Sequence, residues 1–176
     1  MTNISNIINM HNKKIIKKNQ QIEDKTKTCN CKKFECPLKN DRFSCRTKSV
    51  IYEAAVKTKN NNETRTYIGL TANEFKTRWY QHRHDFSNKN KMDSTELSKY
   101  IWNLKNNNIK FELKWRIIRK VTEMKNGNQM CRLCLTEANM IIKNKTGLNK
   151  RNEIFNKCRH QNKFLLKNWK AKDKKN

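Results

Sequence analysis

Apolar residues in this chain gather between Val50 and Leu166, and within that stretch they follow two different periods. Val50–Val56 and Arg65–Leu70 read as β-strands, with the polar run Lys57–Glu63 as the hairpin loop between them. Phe111–Ile117 alternates apolar and charged side chains strictly, which is the pattern of a half-buried strand. Elsewhere the spacing is three and four. Thr71-Ala-Asn-Glu74 has the capping-box pattern and predicts a helix to about Phe86, with Phe75 and Trp79 on one face. Asp93-Ser-Thr-Glu96 repeats that start signal ahead of Leu97, Ile101 and Leu104. After an Asn126-Gly127 turn, a third helix is expected from about Gln129 to Lys143, with Leu133, Glu137, Met140 and Ile141 on one side. The order strand, strand, helix, helix, strand, helix predicts an α+β fold: a small antiparallel three-stranded sheet flanked by helices.

Composition confines the ordered region. Leu, Ile, Val and Phe make up about one residue in five, near the level at which high charge predicts disorder. A modest core is therefore expected only where these residues concentrate. Residues 1–28 read as a disordered basic arm, 29–48 as a cysteine-rich segment, 49–155 as the folded domain and 156–176 as a basic tail. The chain carries 41 Lys and Arg against 15 Asp and Glu, a net charge of +26. That excess favours a polyanion, nucleic acid first, through neutralised phosphates and released counterions. The competing, blander reading is codon drift in an AT-rich genome, which raises Lys, Asn and Ile together. No apolar run is long enough to span a bilayer and the start lacks a secretory pattern, so an intracellular protein without a membrane partner is expected.

The seven cysteines, in an intracellular setting, point to metal or free thiols rather than disulfides. Cys29, Cys31, Cys36 and Cys45 form C-x-C-x4-C-x8-C, enough thiolates for one tetrahedral zinc. Cys131 and Cys134 form C-x2-C, and Cys158 with His160 supplies two more candidate ligands for a second zinc. Either zinc is expected to be structural, since four protein ligands leave no position for water. Cys131 and Cys134 can equally be small buried residues of a helix.

Three further features bear on chemistry. Tyr52 and Tyr67 lie on the two hairpin strands and can face one another, either as a reactive phenol pair or as packed core. Arg78 and His82, at i and i+4, share a helical face. A guanidinium there suits a phosphate, although neighbouring Lys76, Arg83 and His84 also fit a solvated basic helix. Glu137 lies between Leu133 and Ile141 on the face expected to pack against the sheet, where a carboxylate needs a partner. Mg²⁺ completed by water and substrate phosphate is one such partner, and a salt bridge is the other.

The spacing of Tyr52, Tyr67-Ile68-Gly69, Arg78, His82 and the later Glu137 resembles the GIY-YIG homing and repair endonucleases. More narrowly, Cys29 to Leu166 is similar to the endonuclease region of Penelope-like retroelements. Tyr67-Ile-Gly-Leu-Thr71, Leu97-Ser-Lys-Tyr-Ile-Trp102, Cys131-Arg-Leu-Cys-Leu-Thr-Glu137 and Leu148-Asn-Lys-Arg151 carry the likeness. The resemblance implies a nuclease that cuts one DNA strand by Mg²⁺- or Mn²⁺-assisted hydrolysis. Tyr52, with His82, would activate water; Tyr67 would position groups around the phosphate; Arg78 would stabilise developing charge; and Glu137 would hold the ion. Gly69 and Asn149 would be structural. A nuclear setting is implied, with RNA or a reverse transcriptase of the same element as further partners. The chain is too short to include a polymerase, so a fragment, separated domain or captured copy is expected. Two departures stand out. Val50-Ile51-Tyr52 lacks the family's first glycine, and where homing members carry another histidine this chain offers Asp93, to which no role transfers. The competing reading is a non-catalytic, zinc-stabilised nucleic-acid-binding module derived from such a nuclease.

Overall fold

The computed structural model describes residues 10, 29, 31, 36–39, 41–59, 63–122, 128–145, 147–150 and 165–167. The arm at 1–28, apart from Met10, and the Asn126-Gly127 turn lie outside them.

Strands β1 (Val50–Thr58), β2 (Thr64–Thr71) and β3 (Phe111–Lys120) form one antiparallel sheet in the order β2-β1-β3, as the alternation predicted. β2 runs one residue beyond the expected Arg65–Leu70 at each end, and Thr71 pairs with Val50. Helices α1 (Phe75–Ser87), α2 (Glu96–Asn106) and α3 (Arg132–Lys143) flank the sheet.

Successive strand residues point to opposite faces, so β1 feeds two cores. Val50, Tyr52, Ala54 and Val56 pack with Phe75, Trp79 and Phe86 of α1 and Leu97, Ile101 and Leu104 of α2. Ile51 and Ile68 pack instead with Leu133 and Ile141 of α3. The register shifts between Ile51 and Tyr52, leaving Ile118 as an extra residue in β3 that joins the α3 core.

Both capping signals work differently from the simple pattern. Thr71 stays in β2, and its hydroxyl accepts the Asn73 N–H at 3.1 Å, so no side chain caps α1. Two first-turn donors of that helix are satisfied from the cysteine segment: Phe75 N–H donates to the Thr47 carbonyl (3.0 Å) and Lys76 N–H to that of Cys45 (2.7 Å). Thr95, rather than Asp93, caps α2 by accepting the Ser98 N–H at 3.0 Å.

The third helix begins at Arg132 rather than Gln129. The preceding residues form a short strand, β4 (Asn128–Cys131), paired antiparallel with β5 (Leu165–Lys167). After α3 the chain runs along the outer side of β2. Leu148 N–H donates to the Thr66 carbonyl at 2.7 Å, and the Asn149 carboxamide takes both the N–H and the C=O of Ile68 at 2.8 Å each.

Candidate active site and metal centre

Tyr52, the third residue of β1, has no exposed surface. Its hydroxyl lies 2.8 Å from His82 Nε2 and accepts the Arg78 Nε–H at 3.1 Å. The i, i+4 spacing of Arg78 and His82 aims both at one phenol, and Phe75, Trp79 and Phe86 on the same side of α1 seat the helix. Gly69 is the cross-strand partner of Tyr52. A Cβ there would collide with the phenol oxygen and approach Cζ to 2.6 Å, so the glycine makes room for the ring. Gly69→Ala should cost about 1–3 kcal/mol through overpacking and displace the phenol. A wild-type melting temperature for this variant would show that the close approach is dispensable.

Tyr67 pairs with Ala54, so the two tyrosines share a face diagonally and are not directly opposite. Tyr67 instead meets His82 edge-on, with ring centroids 6.0 Å apart. Trp115 of β3 closes the cluster, its ring 5.3 Å from His82 and 5.9 Å from both Tyr52 and Phe75. Sequence reasoning passed over Trp115, although strand alternation put it on the inward face.

Burial, reinforced by the Arg78 cation, lowers the His82 pKa to about 3, so its imidazole is neutral at pH 7. Among the described residues its Nδ1 has no hydrogen-bond partner. For Arg78, burial works against ionisation but the attraction of Tyr52 outweighs it, and the pKa rises. Its Nη1 also donates to Gln81 at 3.1 Å, and the residue is only partly covered, so the fork can meet a phosphate from solvent.

The His82 shift has a consequence for stability. The unfolded imidazole protonates near 6.5 and the folded one only near 3, so the unfolded state binds more protons between those values. Stability from this group is full above about pH 6.5 and is lost as pH falls towards 3, a difference on the order of 5 kcal/mol. Thermal melts should show a shallower acid-side slope for His82→Phe than for the wild type. Identical slopes would contradict a buried neutral imidazole.

Glu137 is half-buried on α3, between buried Leu133 and Ile141. That helix covers the sheet face carrying Ile51 and Ile68, opposite the face of Tyr52 and Tyr67. The structure therefore unites four of the five candidate residues and sets the fifth on the other layer. Mg²⁺ needs only one or two protein carboxylates, the rest of its shell being water and phosphate oxygens.

The thiols of Cys29, Cys31, Cys36 and Cys45 all lie within 4.8 Å of one another. Cys45 Sγ is 3.2 Å from that of Cys29 and 3.6 Å from that of Cys31. Zinc with four sulfurs at about 2.3 Å needs edges of about 3.8 Å, so this cluster can close on one ion with little movement. Burial opposes ionisation of Cys29, but the Cys31 N–H and the neighbouring thiols outweigh it, bringing its pKa down to about 7. Burial pushes Cys45 up strongly, so without a metal this inner thiol stays protonated. Lys76 hydrogen-bonds Cys31, which raises the lysine pKa and places a cation beside the sulfurs. Of the second proposed zinc set, Cys131 is buried and Cys134 packs beside it against the α3 core, while Cys158 and His160 lie outside the described residues.

No family model, curated protein or solved structure matches this chain. Among the described residues, no helix is long and apolar enough to cross a membrane.

Proposed function

We propose that this chain is a DNA-nicking endonuclease of GIY-YIG type and retroelement origin, similar to the Penelope-like endonucleases and working in the nucleus. The observation that carries the reading is the Tyr52 hydroxyl held between Arg78 Nε and His82 Nε2. A strongly cationic chain brings a phosphodiester to the partly exposed Arg78. Tyr52 and His82 act together: the phenol, held by the Arg78 N–H, takes a proton from the attacking water as its own proton passes to the Nε2 of neutral His82. The water oxygen bonds to phosphorus, the P–O3′ bond breaks, and a 3′-hydroxyl is released after protonation by solvent. Arg78 neutralises charge gathering on the non-bridging oxygens, while Tyr67 fixes the His82 ring edge-on. Glu137 stands on the other layer of the sheet, so a divalent ion it held would polarise the phosphate only where the substrate backbone passes from the Tyr52 face towards that helix.

A second reading, a zinc-stabilised nucleic-acid-binding module without catalysis, is favoured by the complete burial of Tyr52 and His82. Conversion of supercoiled plasmid to open circles in Mg²⁺ or Mn²⁺ separates the two. The nuclease reading expects wild-type nicking and its loss in Arg78→Ala and Glu137→Ala. A wild type inert in both metals supports the binding module. Full activity in Glu137→Ala would reduce that residue to part of the α3 packing.

A further inference from the structure

Beside the Tyr52 cluster lies an open groove of about 560 Å³, bounded by β3, α1 and the cysteine segment. Trp115 and Leu113 line it from β3, Trp79 and Arg83 from α1, and Pro37 and Lys39 from the cysteine segment. The Arg83 guanidinium lies over the Trp79 ring, 4.9 Å from its centroid, which makes a flat cationic platform. Trp115 is partly exposed, while its ring also contacts Tyr52 and His82, so one indole belongs to both the groove and the cluster around Tyr52.

Aromatic planes interleaved with cations are what an unstacked base and its phosphates require, because every base offers a π-face and every linkage a negative charge. The volume falls within the range of small-ligand sites, large enough for a nucleotide. We propose that this groove seats an unpaired nucleotide of a DNA strand, its base stacked on Trp115 and its phosphates met by Lys39 and Arg83. This rests on the reading of DNA as the substrate and adds a preference to it: single-stranded or locally opened DNA over continuous duplex. Holding a base against Trp115 brings the adjoining backbone alongside the Tyr52 cluster.

The test is fluorescence anisotropy of the full zinc-loaded chain with labelled oligothymidine, with the same sequence as duplex, and with polyglutamate, all at one salt concentration. Binding to the single strand should be tightest. Trp115→Leu, which keeps apolar volume but removes the π-face, should weaken it about tenfold, while Trp115→Phe should restore most of it. Lys39→Gln with Arg83→Gln, both at exposed positions, should flatten the salt dependence. Equal affinity for duplex and polyglutamate, or wild-type affinity in the Trp115→Leu and Lys39/Arg83 variants, would overturn the proposal. Arg78→Ala separates the two readings, because groove binding should persist in it when nicking is lost. A wild type that binds through the groove but never nicks removes the nuclease and leaves the groove. One that nicks with groove-independent binding removes the groove alone.

Discussion

Arg78→Ala is expected to slow plasmid nicking by about a hundredfold or more while the protein stays folded. The magnitude follows from removing one preorganised donor aimed at developing charge, which typically costs about 100- to 1000-fold in rate. The structural loss is smaller. Arg78 gives Tyr52 one hydrogen bond from a partly exposed position, so a stability change of about 1 kcal/mol is expected. His82 stays neutral in the variant, because burial is the larger cause of its shift and the Arg78 charge the lesser one. Arg78→Lys should recover little. An ammonium keeps the charge but cannot donate to Tyr52 and offer a planar fork to a phosphate at once. Nicking by Arg78→Ala at the wild-type rate, measured under single-turnover conditions, would falsify the assignment.

The four thiols can hold a zinc ion, and the loss of zinc bound there should have the largest effect on the fold. Cys45 and Leu38 belong to the same core as Tyr52, and Cys31, Cys36 and Phe43 pack against it. The Cys45 and Thr47 carbonyls also hold the first turn of the helix that carries Arg78 and His82. Structural zinc in small domains commonly supplies much of their folding free energy. Cys45→Ser, or zinc removal by a chelator, should therefore cost at least about 3 kcal/mol and lower the melting temperature by more than about 10 °C. Re-adding Mg²⁺ alone should restore neither the melting temperature nor nicking. Metal analysis distinguishes the sites: one zinc per chain fits the Cys29–Cys45 cluster alone, and two require the second set as well. A melting temperature unmoved by chelation would remove the metal from the fold.

Much of this arrangement is legible in the sequence where a single period decides the outcome. Strict alternation gives β3, the stripe Leu97, Ile101 and Leu104 gives α2, and the helical spacing of Arg78 and His82 brings both to one phenol. The cysteine cluster follows from spacing as well. What local pattern cannot carry is the identity of a distant partner. Thr71 resembles a helix cap, yet it stays in β2, and the first-turn donors of Phe75 and Lys76 are met by carbonyls from before β1. β4 is extended because its backbone pairs with Leu165–Lys167, far along the chain. Periodicity shows that Leu133, Glu137 and Ile141 share one side of a helix, but not which face of the sheet that helix covers.

The contacts along the outer strands also bear on how copies of this protein behave together. An open edge strand is a template for another chain and a route to aggregation. Here the Ile68 amide and carbonyl are already taken by Asn149, and the Thr66 carbonyl by Leu148. On the far side, Asp41 accepts the Ile117 N–H at 3.0 Å, and Glu112, Lys114 and Arg116 stand exposed along β3. A strand from a second molecule would have to evict a side-chain clip on one side or crowd a row of charges on the other. The sheet can thus stay three strands wide even where copies of this chain are crowded together.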